Sequence, residues 1–304
     1  MTANDGVPAI AIYALSKTYI GKKWVRVNAL TDLSLTVGQG EVFGFLGPNG
    51  AGKSTTIKCL VGLLRPTAGE AFIMGEKVPT LASRRRIGFL PENPSFYDYL
   101  SAEEYVRFVG AEFQIPEEEL AAKSDEVLKL LELWDARKRP IRSYSKGMVQ
   151  RVGLAQVLIH DPDVYILDEP MSGLDPLGRA LVKKIILDLK ARGRTVFFST
   201  HIISDVETVC DRVGIVMNGQ LKRLDRVDAI LQAGIEGYFL QVKDRASGML
   251  VERYVDRDDL AAELARITQA GNEVQLIEPK RKSLEDFFLN IVASEHDGNS
   301  SLVA

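Results

Sequence analysis

Along residues 10–37, Val, Ile, Tyr and Thr recur in short alternating segments, and this spacing predicts strands of an antiparallel edge, closed by a turn at Gly38 and Gly40. Residues 41–46 form a continuous apolar run, the pattern of a buried strand, followed by a glycine-rich loop and then, over residues 54–64, a helical pattern stopped by Pro66. The stretch from about 94 to 160 reads as a helical insertion. Ser101 and Glu104 form a capping box ahead of Tyr105, Phe108 and Val109, and residues 127–133 continue the helical spacing. Strand patterns return at 164–167 and 195–199, separated by a helix over 177–191, which predicts parallel strands joined by a crossover. The expected core is α/β.

After about residue 233 the texture changes. Strand-like segments at 238–242, 249–254 and 273–277 flank an Ala- and Leu-rich helix over 259–269, so residues 234–295 predict a small α+β accessory module. Leu284, Phe287, Phe288 and Ile291 fall on one helical face, and residues 296–304 read as a disordered tail.

The chain has 304 residues, 46% of them hydrophobic, enough for one main domain with an appendage. Its 38 basic and 41 acidic residues give a net charge of -3, so the overall electrostatics supply no case for nucleic acid. Apolar runs such as residues 59–64 and 196–198 fall far short of the roughly 20 residues of a membrane-spanning helix. The N-terminus lacks a basic region followed by an apolar stretch, so a cytoplasmic location is expected. Cys59 and Cys210 stand alone in apolar surroundings, as reduced core thiols do.

Gly47-Pro48-Asn49-Gly50-Ala51-Gly52-Lys53-Ser54 matches the phosphate-loop pattern and lies between a predicted strand and helix, the context that pattern requires. Its glycines let backbone N–H groups converge on phosphates beside a helix N-terminus. Lys53 would bridge the β- and γ-phosphates of ATP, Ser54 would hold Mg²⁺, and Thr55 is counted with the same nucleotide-binding segment. Asp168 and Glu169 follow a short apolar strand. Asp168 suits the Mg²⁺ or its water shell, and Glu169 suits proton acceptance from an attacking water. His201 follows another buried strand at its carboxyl end, where α/β sheets place ligand-binding groups. His160 and His296 have no such context.

The ordered set Tyr144-Ser145-Lys146-Gly147-Met148, Gln150-Arg151, Leu167-Asp168-Glu169-Pro170, Ser172-Gly173-Leu174-Asp175-Pro176 and Thr200-His201 resembles the motifs of ABC (ATP-binding cassette) ATPases over roughly residues 10–233. The resemblance implies a P-loop fold with an antiparallel edge subdomain, a parallel-sheet core and the helical subdomain, and assigns 1–233 to the ATP-binding domain. It implies that Ser145 and Gly147 face the γ-phosphate of ATP bound on a second copy of the chain, so that two ATP molecules are sandwiched in a homodimer. A helix starting at Ser-Lys-Gly also offers hydroxyl and N–H donors to an anion, although for the segment on its own an ordinary N-cap is the better reading. By the same resemblance His201 contacts the γ-phosphate and positions the water with Glu169, Asp175 communicates across the dimer, and Tyr19 stacks on adenine, with Tyr13 and Trp24 as neighbouring candidates.

Two departures from the family pattern bear on function. The signature reads Tyr-Ser-Lys-Gly-Met in place of Leu-Ser-Gly-Gly-Gln, and Glu92 stands where many members have glutamine. A carboxylate there can approach Mg²⁺ or its water, and it adds negative charge near ATP. The Leu-Pro-Glu segment, the signature and residues 284–289 resemble ATPases paired with ABC-2 type export permeases, which implies an integral membrane partner and a peripheral place on the inner face of the membrane. Residues 96–100, Phe-Tyr-Asp-Tyr-Leu, either fill a groove on the permease or pack inside the cassette. The rival functions are a soluble ABC ATPase acting on ribosomes or DNA, whose relatives carry paired cassettes or long coiled coils, and a P-loop kinase or GTPase, against which the histidine-terminated motif order and the lack of an Asn-Lys-x-Asp sequence both stand.

Overall fold

The computed structural model describes residues 6–21, 24–245 and 247–289. The chain divides into two compact units, residues 1–224 and 225–304. Residue 233, the boundary expected from the change in sequence texture, is the last residue of a helix inside the second unit.

In the first unit, β1 (Ile10–Ile20) pairs antiparallel with β2 (Arg26–Val37), and a second sheet begins at β3 (Val42–Leu46). The helix α1 (Lys53–Leu60) is shorter than its sequence pattern predicts: Gly62, at φ 72°, takes the left-handed conformation that ends it well before Pro66. Then come β4 (Ala68–Ile73), β5 (Glu76–Lys77), α2 (Leu81–Arg85) and β6 (Ile87–Leu90). Three helices occupy the 94–160 region: α3 (Ala102–Glu112), α4 (Glu117–Leu130) and α5 (Lys146–Leu158). The capping box at the start of α3 forms as expected, Ser101 Oγ accepting from the Glu104 N–H and the Glu104 carboxylate accepting from the Ser101 N–H. The core closes with β7 (Val164–Asp168), α6 (Pro176–Ala191), β8 (Thr195–Thr200), α7 (Ile203–Val209), β9 (Arg212–Met217) and β10 (Gln220–Arg226).

Two sheets result, an edge sheet ordered β2-β1-β4-β5 and a six-stranded sheet ordered β10-β9-β3-β8-β7-β6. In the larger sheet β9, β3, β8, β7 and β6 pair in parallel, so each is flanked by apolar layers and reads as a near-continuous hydrophobic run. Phe43 and Phe197 stack at 5.5 Å between ring centres and Phe45 meets Phe197 at 5.3 Å, all three fully buried. Each such ring stabilises the fold by about 1.5–3 kcal/mol through burial alone.

The second unit holds α8 (Val227–Ala233), β11 (Ile235–Lys243), β12 (Leu250–Asp256), α9 (Leu260–Gln269) and β13 (Glu273–Arg281). Its sheet, ordered β12-β11-β13, is antiparallel and packs Leu240, Val242 and Val255 against Ile267 of α9. A further helical stretch begins at Leu284, which is buried; Ile291 and the expected tail from 296 lie outside the described residues.

Candidate functional site

The loops that follow β3, β8, β7 and β6 all leave from the carboxyl edge of the parallel sheet, because four neighbouring parallel strands end on the same side. These loops carry Gly47 to Gly52, His201, Glu169 and Glu92 respectively. A cleft of about 500 Å³ lies there, lined by Ala29, Asn49, Gly50, Gly52, Lys53, Ser54, Thr55, Glu92, Glu169, Ser172 and His201.

The phosphate loop owes its path to glycine. Gly52 has φ 105°, and a Cβ on Gly47 would stand 2.4 Å from the Val216 carbonyl oxygen. Gly47 N–H donates to Thr200 O, tying the loop to the end of β8. No side chain caps α1, so its first-turn N–H groups, which have no partner within the helix, are available to an anion. Lys53 is buried. Its Nζ donates to Gly47 O at 2.7 Å and Pro48 O at 3.2 Å and stands 3.4 Å from Glu169 Oε1.

Glu169 follows directly on β7 with φ 48°, a left-handed backbone that residues with a Cβ disfavour and that recurs at functional sites. His201 Nδ1 lies 3.0 and 3.1 Å from its two carboxylate oxygens, so Glu169 is held between a lysine and a histidine. Asp168, the last residue of β7, is also buried, and Ser199 Oγ donates to its Oδ1 at 2.6 Å. Ser54 and Glu92 line the cleft, whereas Asp168 is buried behind Glu169 and is not part of the lining; a hydroxyl and carboxylates are oxygen donors, the chemistry that suits Mg²⁺.

The structure does not bring every expected residue to this cleft. Ser145 caps α5, accepting from Met148 N–H, and Asp175 caps α6, accepting from Gly178 N–H; both lie apart from the cleft lining, as does Gly147, whose Cβ position faces Leu174. Gln150 Nε2 donates to Pro170 O, which joins α5 to the segment after Glu169. Tyr19, exposed and with Lys17 Nζ over its ring, pairs with Val27, two residues from the cleft-lining Ala29; Trp24 is 85% exposed and Tyr13 packs edge-on against Phe72. Within residues 96–100, Phe96 packs against Tyr105 and Leu100 against the core, while Tyr97 and Tyr99 are exposed. His160 stacks on Phe113 at 3.8 Å, and its burial pushes the imidazole below its ordinary pKa. Burial pushes the Cys59 thiol up to about 11 and the Cys210 thiol well above the usual range. Sequence reasoning gave Ser199 no place in the site and named Ser172 only as part of a motif, without a role. The visible signal for Ser199 was a hydroxyl in an apolar strand, two residues before His201.

Fold and site together define a phosphate-loop nucleotide-binding protein of the cassette architecture. The ABC transporter family model matches residues 30–172. An uncharacterized ABC transporter ATP-binding protein of Nostoc sp. is 40% identical over 97% of this chain and 93% of its own. The bacitracin transport ATP-binding protein BcrA of Bacillus licheniformis is 33% identical over 91% of this chain and 97% of its own, and a fluoroquinolones export ATP-binding protein of Mycobacterium tuberculosis is 35% identical over 93% and 97%. Among solved structures, an ATP-binding cassette captured as a dimer after hydrolysis with ADP and Pi superposes with a TM-score of 0.67 at 26% identity, covering 72% of this chain and 98% of that one. The chain belongs to the ABC transporter ATP-binding proteins. It is the ATP-binding and ATP-hydrolysing subunit of such a transporter, and none of its described helices is long and apolar enough to cross a membrane.

Proposed function

We propose that this subunit powers an export permease embedded in the membrane, working from its inner, cytoplasmic face as a homodimer that closes on two molecules of ATP with Mg²⁺. The observation that carries this reading is the cluster at the end of the parallel sheet, in which buried Lys53 and Glu169 meet the exposed ring of His201. The dimeric solved cassette and the relatives named for bacitracin transport and fluoroquinolones export support the assembly and the direction.

The residues act in sequence. Backbone N–H groups of Asn49 to Thr55 and the start of α1 receive the phosphates, and Lys53 exchanges its contacts with Gly47 O, Pro48 O and Glu169 for phosphate oxygens. Ser54, Asp168 and Glu92 are the residues that would hold Mg²⁺, which would supply charge neutralisation on the phosphates. Glu169, released from Lys53, accepts the proton of the attacking water, and His201 keeps the Glu169 carboxylate oriented. Ser145, Gly147 and Asp175, which stand outside this chain's own cleft, complete the cleft of the second copy. Tyr19 stacks on adenine. Tyr97 and Tyr99, with the half-exposed ring of Phe108 beside Tyr97, form the apolar surface offered to the permease. The second unit, residues 225–304, serves as an accessory module.

Capture of partners from detergent-solubilised membranes by the tagged Glu169→Gln protein with ATP present tests this reading. Co-purification of a protein with several membrane spans is expected. Recovery of ribosomes or DNA with no membrane protein would leave the ATPase standing and overturn the transport coupling.

A further inference from the structure

Ser199 is fully buried in β8, a strand otherwise built of Thr195, Val196, Phe197, Phe198 and Thr200. A hydroxyl in so dry a place needs partners, and this one uses both of its capacities on the catalytic segment. The parallel pairing of β7 with β8 sets Ser199 opposite Asp168. Its Oγ donates to Asp168 Oδ1 at 2.6 Å and accepts from the Glu169 backbone N–H at 2.9 Å. The direction of each bond is fixed, since a backbone N–H only donates and the single hydroxyl proton therefore goes to the carboxylate.

Each bond has a separate consequence. The bond to Asp168 is charge-assisted and short, so it sets the plane of that carboxylate. The bond to Glu169 takes up an N–H just where β7 ends and the backbone turns into the left-handed region at φ 48°. That turn brings the Glu169 side chain to Lys53 and His201. One buried oxygen thus joins the carboxylate assigned to the cation and the residue assigned to the water.

We propose that Ser199 is a positioning residue for ATP hydrolysis, holding the Asp168 carboxylate and the Glu169 backbone in one arrangement so that cation and water are presented together. Ser199 acts through these two residues, and its role therefore rests on the reading of Asp168 and Glu169 given above. Loss of the hydroxyl removes no hydrogen bond from Lys53, whose Nζ donates to Gly47 O and Pro48 O in the phosphate loop and not to Ser199. The defect should thus fall on the cation and on turnover, and spare nucleotide binding.

The test uses the full-length protein. Mn²⁺ binding in the presence of a non-hydrolysable ATP analogue is read by electron paramagnetic resonance, beside metal-free binding of a fluorescent ATP analogue and steady-state phosphate release. Ser199→Ala is expected to lower Mn²⁺ affinity and kcat each by roughly 10- to 100-fold, with metal-free nucleotide affinity within about twofold of wild type. Ser199→Thr, which keeps the hydroxyl, should regain most of both. Wild-type Mn²⁺ affinity and kcat in Ser199→Ala, or a parallel loss of metal-free nucleotide binding, would overturn the positioning role. Should Ser199→Ala not fold, Ser199→Cys keeps the side-chain size but donates weakly and is expected to show the same defect; a cysteine variant equal to wild type counts against the role. Asp168→Asn and Glu169→Gln separate the two levels. If they bind Mn²⁺ and hydrolyse ATP as wild type does, the underlying assignment fails; if they are impaired and Ser199→Ala is normal, only the positioning role fails.

Discussion

Replacing Glu169 by glutamine removes one negative charge from between Lys53 and His201 and keeps the length of the side chain. The amide oxygen can still accept from His201 Nδ1, which stands 3.0 Å from the carboxylate, so the geometry survives and proton affinity is what disappears. General-base action contributes about 10²- to 10⁴-fold, or roughly 3–5 kcal/mol of the barrier, and kcat should fall by that factor. Binding should move the other way. At the 3.4 Å separation of Lys53 Nζ and Glu169 Oε1, the gross attraction is about 5 kcal/mol at an effective dielectric of 20, and the desolvation of two buried ions offsets most of it. The glutamine variant leaves Lys53 without its competing anion and removes a repulsion toward the phosphates. ATP affinity should therefore rise, by a factor of about ten or less, a change of up to ~1.4 kcal/mol. Phosphate release at saturating ATP and Mg²⁺ measures the first effect, and equilibrium binding of a fluorescent ATP analogue the second. Turnover within tenfold of wild type, or weaker ATP binding in the variant, would refute the assignment of Glu169.

Three further outcomes are expected. Lys53→Ala removes a charge-assisted contact with the phosphates, typically about 1.5–3 kcal/mol, so ATP affinity should fall roughly 10- to 100-fold in an equilibrium binding measurement. Gly47→Ala would set a Cβ 2.4 Å from Val216 O and 3.0 Å from Val216 Cγ1; the loop must shift, with loss of ATP binding and a stability decrease of about 1–3 kcal/mol in urea unfolding, and an alanine variant that binds ATP normally would show the approach is looser than observed. At Asp161, desolvation pushes the carboxyl up, but hydrogen bonds from Arg194 and Tyr165 and the charges of Arg194 and Arg192 prevail and hold it below its ordinary 3.8. A folded pKa below the unfolded one gives stability that is fully present above the unfolded value and lost as pH falls through the folded one, so the stability difference between wild type and Arg194→Ala should shrink between pH 7 and pH values below 3.8. Equal differences at both ends would contradict this.

The elements that local spacing dictates were legible in the chain itself. The buried run before Gly47, the capping box at Ser101 and the apolar strand ending in Asp168 appear where the pattern places them, because a two-residue or 3.6-residue period and a cap depend only on near neighbours. The end of α1 was misjudged, since the left-handed Gly62 acts before Pro66 and a lone glycine does not announce its φ. Lys53, Ser54, Asp168, Glu169 and His201 were singled out from residue type, motif order and position at strand ends. Their convergence was not legible there. It depends on a sheet order, β3-β8-β7-β6, that sets neighbouring strands beside each other although they lie far apart along the chain. Ser199 shows the same division: its sequence reveals a hydroxyl in an apolar strand, and only the register of β8 against β7 makes that hydroxyl a partner of Asp168 and Glu169, because hydrogen bonds over a long sequence separation are chosen by tertiary packing.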